Sequence, residues 1–334
     1  MAYAVPVDIW HGLEQIPADL EGSVVTIGVF DGVHRGHRRL IGAATRRARE
    51  LGVPAVLMTF DPHPMSVFAP EKLPPRLGTV TTRADLAREL GVDHMLIVPF
   101  TASMAKQSPA DFVDRVLAGK LKAVAVVVGE NFTFGYRAAG NTGTLRELGS
   151  VHGIEVDVQD LLTDEGTTIS SSVIRGLLRD GDVARANWAL GRPFRLSGEV
   201  VRGAGRGGRE LGYPTANLYF PDTVAVPADG VYCGWFTVTE DPDAGPVDGD
   251  MVPGIRYITA ISVGTNPTFG DERRSVEAFV LDREADLYGR HCEIEFIEHL
   301  RGMEKFDGVD DLLTAMDRDV RRTRRIMAQH QPAE

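Results

Sequence analysis

Cysteine is scarce in this sequence: only Cys233 and Cys292 occur, and neither has a partner at metal-ligand spacing. Both are expected to be small buried hydrophobes in strands, which fits a reducing compartment. Long hydrophobic runs are also missing. The longest, Ala123 to Val128, is far short of the roughly 20 residues a membrane span needs. Met1 to Trp10 lacks a basic opening and carries Pro6 and Asp8, so it does not read as a signal peptide, and a cytoplasmic protein is expected. Positive charge is in deficit, with 36 Lys and Arg against 47 Asp and Glu and a net charge of -11. That argues against general attachment to nucleic acid or anionic membrane. Small phosphorylated substrates stay compatible, because phosphate sites are built from local amides, a few basic side chains and metal. Repeats are absent, and the one biased segment, the acidic, Pro- and Gly-containing stretch Glu240–Gly254, reads as an exposed hairpin loop.

What remains is ordinary globular composition, 43% hydrophobic and 25% charged, over 334 residues, a length that suggests two domains. In the first half, short apolar runs (Val24–Phe30, Pro54–Phe60, His94–Phe100, Ala123–Val128) alternate with helical patterns. Leu40, Ile41, Ala44, Ala48 and Leu51 share one helix face; Thr82 opens a second helix; Ser108-Pro109-Ala110-Asp111 opens a third with Ser at the N-cap and Pro at N1. Continuously apolar strands alternating with helices predict a parallel, Rossmann-like sheet covered on both faces. A strand at Ile154–Val158 and a helix at Ser171–Arg179 close this half. After a short helix through Leu190, Gly191-Arg192-Pro193 reads as a linker. Then come Leu196–Val201, Val231–Val238, Tyr257–Val263, Val276–Leu281 and Cys292–Ile297, split by Gly and Pro, the punctuation of a small antiparallel β-barrel. Val309, Leu312, Leu313, Met316, Val320 and Ile326 mark a terminal amphipathic helix packed on it. The expected domains are 1–190 and 191–334.

The densest motif is Gly28-Val29-Phe30-Asp31-Gly32-Val33-His34-Arg35-Gly36-His37. It reads as a strand ending at Phe30, a glycine turn, and a helix beginning near Gly36. Such a turn lies at the carboxyl end of a parallel strand, where ligands bind, and the helix start offers free amides and a positive dipole to phosphate. His34 and His37 would hydrogen-bond a triphosphate as charge passes to departing pyrophosphate; the bland alternatives are a helix cap or a metal ligand. Ile169-Ser170-Ser171-Ser172-Val173-Ile174-Arg175 supplies a second helix start with hydroxyls and an Arg in its first turn. Thr59-Phe60-Asp61-Pro62-His63-Pro64 and Val128-Gly129-Glu130-Asn131-Phe132-Thr133-Phe134-Gly135 fall at two more strand ends, with Asn131 as a neutral polar group and the two Phe as apolar walls.

In the second half, Gly203, Gly205 and Gly208 formally satisfy a dinucleotide fingerprint, but Arg209 to Pro214 cannot open the helix it requires. No Gly-Lys-Ser/Thr follows either, so the segment reads as a glycine-rich flap. Thr215 and Asn217, two apart in extended chain, point the same way and offer hard oxygens suited to Mg²⁺ carrying nucleotide phosphates; the alternative is a polar strand face. Glu277 is a lone acid inside Val276–Leu281, costly to bury and suited to take a hydroxyl proton; the alternative is a solvated barrel edge.

GVFDGVHRGH resembles the H-x-G-H signature of the nucleotidyltransferase superfamily. With TFDPHP, VGENFTFG and ISSSVIR in this order, it is similar to the adenylyltransferase module of prokaryotic bifunctional riboflavin kinase/FMN adenylyltransferases. That family's stretch usually reads I-S-S-T-x-I-R; Ser172 stands at the Thr position and keeps the hydroxyl. GRGGRELGYPTANL, GVYCG, VGTNPTF and VEAFVLD resemble the family's riboflavin kinase module. The resemblance implies that His34, His37 and Arg175 act on ATP phosphates with Ser171, Ser172 and the turn residues Gly28, Phe30, Asp31 and Gly32. It implies flavin contacts at Asn131, Phe60 and Pro62. It also implies Mg²⁺ and ATP at Thr215 and Asn217, a flap including Gly207 over the nucleotide, and Glu277 as base. Riboflavin, FMN, FAD and ATP would be substrates or products of a monomer or weak homo-oligomer with no nucleic-acid or membrane partner. Two rivals stay open: an FMN adenylyltransferase with a non-catalytic flavin-binding barrel, and a nucleotide-binding or RNA-contacting protein using the synthetase-like H-x-G-H.

Overall fold

The computed structural model describes residues 7–203, 213–241, 244–266 and 271–330. The chain divides into two compact units, Met1–Ser171 and Ser172–Glu334.

The first unit runs β1 (Asp8–His11), β2 (Ser23–Ile27), α1 (Arg35–Leu51), β3 (Ala55–Phe60), α2 (Met65–Phe68), α3 (Val80–Glu89) and β4 (His94–Val98). α4 (Pro109–Asp111) then continues as a π-helical stretch Phe112–Lys120, followed by β5 (Ala123–Gly129), α5 (Thr142–Val151) and β6 (Glu155–Gln159). A short hairpin, β7 (Thr163–Asp164) and β8 (Thr167–Thr168), closes the unit, whose last residue, Ser171, is the first of α6 (Ser171–Arg179). The six-stranded sheet has the order β1-β4-β3-β2-β5-β6 and is parallel throughout. The chain proceeds outward from β2 through β3 to β4 and then returns to β5 on the other side. The topological switch therefore lies between β2 and β5, and a crevice opens there at the carboxyl ends.

Both faces of the inner strands β2 to β5 are buried, which is why those strands read as unbroken apolar runs. On one face Val25, Ile27, Met58 and Leu96 pack with Val113, Val116 and Leu117 of the π-helical stretch. On the other, Leu57, Met95 and Ile97 pack with Ile41 of α1 and Leu86 of α3, while Val24 and Val127 meet Ala43, Ala44 and Ala48.

Several boundaries differ from expectation. β2 stops at Ile27, three residues before Phe30, because Phe30 takes φ +52 and leaves the sheet; its apolarity reports burial in the turn, not pairing. α1 opens at Arg35 with His34 as N-cap, and α3 opens at Val80 with Thr79 as N-cap, accepting from the Thr82 N–H. Ser108 caps α4 as expected, accepting from the Asp111 N–H. β1 was not anticipated. Phe134 is a core residue, and the half-buried Phe132 stacks on it at 5.5 Å between centroids.

The second unit holds the rest of α6, then α7 (Val183–Leu190), β9 (Phe194–Glu199), β10 (Ala216–Tyr219), β11 (Gly230–Val238), β12 (Asp248–Gly249), β13 (Arg256–Asn266), β14 (Asp271–Val280), β15 (Ala285–Asp286), β16 (His291–Arg301) and α8 (Val309–Met327). Six strands form an antiparallel sheet in the order β10-β14-β13-β11-β16-β9. A bridge from Val201 to Asn217 brings its two edges together, as the barrel expectation requires. β11 is buried on both sides. Tyr232 and Phe236 fill the interior with Phe194 and Phe296, while Val231, Cys233 and Trp235 lie under Ile326 and Met327 of α8. Both thiols are buried in strands, as expected, and burial raises Cys233 to about 11 and Cys292 to about 12. Glu240–Gly254 is not loop alone: β12 within it pairs with β15.

Two candidate active sites

In the first unit the turn between β2 and α1 is strained and held from several sides. Phe30 (φ +52), Gly32 (φ +79) and Val33 (φ +40) take left-handed backbone, which costs non-glycine residues on the order of 1–3 kcal/mol each. The bracing is specific. The Asp31 carboxylate accepts from the Leu77 N–H at 3.0 and 3.2 Å, and the Ser171 hydroxyl donates to the Asp31 carbonyl at 2.9 Å. Thr59 Oγ1 at the end of β3 donates to the Val29 carbonyl at 3.0 Å and accepts from the Arg83 guanidinium at 2.9 Å. Gly28 lets the Phe30 ring pack closely on the backbone, since an added Cβ would lie 3.1 Å from it and push the ring back.

This turn presents His34 and His37. Their rings stack at 3.6 Å between centroids, and the Phe30 ring meets His37 edge-on at 5.2 Å. The helix-cap alternative is realised as well: His34 Nδ1 accepts from the His37 N–H at 3.3 Å. Burial, then His34, then the Arg83 cation hold His37 well below the ordinary histidine range, so it is neutral at physiological pH. A neutral imidazole can donate to an anion from one nitrogen without adding a fixed charge. Arg35, between the histidines, is paired with Asp164 of the β7–β8 hairpin at 2.7 Å, and that hairpin leads directly into α6.

Asp31 and Phe30 thus serve the turn with their side chains: the carboxylate is bound to Leu77 and the ring is in the core. Phe60 ends β3 with its ring edge-on to Phe100 at 5.5 Å, Pro62 follows in an exposed loop, and Asn131 is exposed just past β5, beside β2 at the switch. Ser171 opens α6, Ser172 follows, and Arg175 lies one turn on. Sequence reasoning missed Thr59, Leu77 and Arg83; only the Thr-Phe-Asp-Pro run hinted at the first.

The second site lies on the outer face of the barrel, beneath α8. Register sets Val231 opposite Ser262, Ser262 opposite Glu277, and Glu277 opposite Asn217, so one row crosses four strands on one face. A cavity of about 320 Å³ opens along this row. Its polar end has Thr215, Ser262, Ser275 and Glu277, and its apolar wall has Met303, Phe306, Leu312, Met316 and Val320. Glu277 is half-buried, and burial raises its carboxyl above the ordinary glutamate range, partly offset by a hydrogen bond from Ser275 Oγ at 3.2 Å. The solvated-edge reading therefore fails for this acid. Asn217 is buried and donates to the Thr215 carbonyl at 3.0 Å; Gly203 approaches so closely that an added Cβ would lie 2.6 Å from the Asn217 amide. Gly207 lies outside the described residues. Arg301 and Asp319 close one end of the cavity in a bidentate pair, with the Arg301 Nε donating at 3.0 Å and Nη2 at 2.7 Å to Asp319 Oδ2. Sequence reasoning missed Ser262, Ser275, Arg301 and Asp319, and saw Leu312, Met316 and Val320 only as packing.

Family models match both halves, FAD synthetase over residues 16–173 and riboflavin kinase over 190–327. The bifunctional riboflavin kinase/FMN adenylyltransferase of Escherichia coli K12 is 34% identical over 97% of this chain and 98% of its own length. That of Pseudomonas fluorescens is 36% identical over 95% and 97%, and that of Bacillus subtilis 33% over 94% and 95%. The chain belongs to the bifunctional riboflavin kinase/FMN adenylyltransferase family. It is an enzyme with both catalytic modules, the adenylyltransferase first and the kinase second. A Streptococcus pneumoniae crystal structure described as a macrolide-efflux protein has the same fold, at TM-score 0.83 and 30% identity over 96% of this chain and 99% of its own. Among the described residues of this family member, no helix is long and apolar enough to cross a membrane.

Proposed function

We propose that the two sites divide the reactions residue by residue, with the kinase domain at 191–334 and the adenylyltransferase domain at 1–190. The observation that carries the kinase assignment is Glu277, a carboxylate of raised basicity at the polar end of a cavity whose opposite wall is apolar. A flat isoalloxazine suits that wall, and a ribityl chain would then run toward Glu277. The 5′-hydroxyl oxygen attacks the γ-phosphorus of ATP, the bond to the β-phosphate oxygen breaks, and the hydroxyl proton passes to Glu277.

Thr215 and Asn217 fit a Mg²⁺ that arrives with nucleotide phosphates: both offer hard, neutral oxygens, and Asn217 is held by Thr215 and crowded by Gly203. No group of three or more His, Cys, Asp or Glu able to hold a metal occurs among the described residues, which suits an ion whose remaining ligands are phosphate and water. Bound there, the ion would neutralise charge on the transferring phosphoryl group.

At the other site FMN is already the nucleophile, since its phosphate is ionised at neutral pH. An FMN phosphate oxygen attacks the α-phosphorus of ATP and the bond to pyrophosphate breaks. His34, His37, Ser171, Ser172 and Arg175 hold the departing charge, and Asn131, Phe60 and Pro62 flank the flavin. No proton needs removing, which agrees with a site whose one acid in the turn is bound to Leu77. The enzyme acts on small molecules in the cytoplasm as a monomer or weak homo-oligomer. Chromatography of riboflavin, FMN and FAD after incubation with Mg²⁺-ATP tests the whole reading: riboflavin left unconverted, with FMN still adenylylated, would support a non-catalytic barrel instead.

A further inference from the structure

We propose that Arg83 is a positioning residue of the adenylylation site: its buried guanidinium holds Thr59, Thr59 holds the Val29 carbonyl, and the strained turn presenting His34 and His37 thereby keeps its shape. Arg83 is 7% exposed on α3, away from every glycine-rich or serine-rich motif, and a buried arginine is rare unless it is engaged. It donates through Nη1 to Thr59 Oγ1 at 2.9 Å, and the Thr59 hydroxyl, 0% exposed, donates in turn to the Val29 carbonyl at 3.0 Å. This relay joins α3 and β3 to the Val29 carbonyl just before Phe30, where the left-handed backbone begins, beside the backbone hydrogen bond from Gly28 N–H to the Met58 carbonyl of β3. Turns of this kind persist only where the surroundings over-determine them.

The same cation acts on His37 through space. His37 is faced by His34 from its own turn and by Arg83 from α3; Arg83 in turn faces Asp31 in the turn, Asp61 past β3, and Arg76. His37 Nδ1 is enclosed without a hydrogen-bond partner among the described residues, so a proton added there would gain no acceptor while meeting a neighbouring positive charge. Arg83 therefore has two separable effects: Thr59 carries the geometry, and the charge adds to burial and His34 in disfavouring protonation of the imidazole.

Two substitutions in the full chain separate them. Thr59→Val removes the relay and leaves the cation; Arg83→Met removes both. Each should lower kcat for FMN to FAD by about 10- to 100-fold, the scale of a misplaced catalytic group, while riboflavin phosphorylation by the same chain stays within about twofold. Only Arg83→Met should move the acid limb of the FAD-forming pH profile upward, because removing a neighbouring cation makes His37 easier to protonate. A parent-like rate and limb in Arg83→Met overturns the inference, and so does an equal loss of kinase activity, which would make Arg83 merely structural. The inference rests on His37 belonging to the adenylylation site, so His37→Ala is measured alongside. If it still makes FAD, that assignment falls; if it does not while Arg83→Met behaves as parent, the Arg83 inference alone falls.

Discussion

Replacing Glu277 by Gln removes a base while leaving almost everything else. The side chain keeps its size, and its amide carbonyl can still accept from Ser275 Oγ, now at 3.2 Å. Loss of a general base costs roughly 10²–10⁴ in rate, which is about 2.7–5.5 kcal/mol of barrier. Stability should not fall with it. Burial raises the folded-state pKa of Glu277, so as pH rises the unfolded chain loses this proton first. Folding is therefore penalised progressively from the ordinary glutamate pKa up through the raised one, and at neutral pH a Gln relieves that penalty. The assay is a time course of FMN formed from riboflavin, a separate course of FAD formed from FMN, and thermal unfolding of both proteins. FMN formation should collapse, FAD formation should hold, and Tm should stay level or rise. A kinase rate within threefold of the parent, or equal loss of both activities, would refute the assignment. Ser275→Ala is the companion. It deletes a hydrogen bond that favours ionised Glu277, so the acid limb of the kinase profile should move to higher pH; an unmoved limb would mean some other group is the base.

His37→Ala should do the reverse of the Glu277 change, lowering FAD formation by about 10²-fold or more and sparing FMN formation, as followed on the same chromatograms. Asp319→Ala leaves the Arg301 guanidinium, 17% exposed, without its bidentate partner. It should cost about 3–5 kcal/mol in denaturant unfolding and raise KM for riboflavin more than it lowers kcat; parent-like values of both would show the pair to be incidental. Cys233 and Cys292, with thiols pushed up to about 11 and about 12, should resist a thiol reagent at pH 8 in the folded chain and react fully once it is unfolded. Rapid labelling of either in the native protein would contradict their burial.

How much was legible depends on what each signal measures. Ala55–Phe60 and Ala123–Gly129 could be read because a strand covered on both faces must be apolar at every position. β1 could not be, because in Asp8–His11 only Trp10 is buried and four residues give too short a pattern. Phe30 misled for the complementary reason: its side chain is as buried as a strand residue, and apolarity says nothing about φ. At the sites, motif residues announced themselves by grouping along the chain. Arg83 and Asp319 did not, since each sits in an ordinary helix and gains meaning only from a partner, Thr59 or Arg301, that is far away in sequence. Gly207 and its flap lie outside the described residues.

The row of Val231, Ser262, Glu277 and Asn217 has a consequence for how such a chain can change over generations. Strand side chains alternate, so slipping β14 by one residue against β13 at Glu277 would turn that side chain from the cavity to the barrel interior. A change of strand length by an odd number reverses a strand's whole contribution to the row at once, whereas a substitution alters one member of it. The adenylyltransferase half answers to a different rule. Its groups stand on turns and helix starts, whose tethers to Leu77, Thr59 and Ser171 come from distant segments, so lengthening the loops between those segments leaves each tether in reach. Insertions between related chains should therefore collect in the loops of the first half, and in the second should avoid the strands that count in twos.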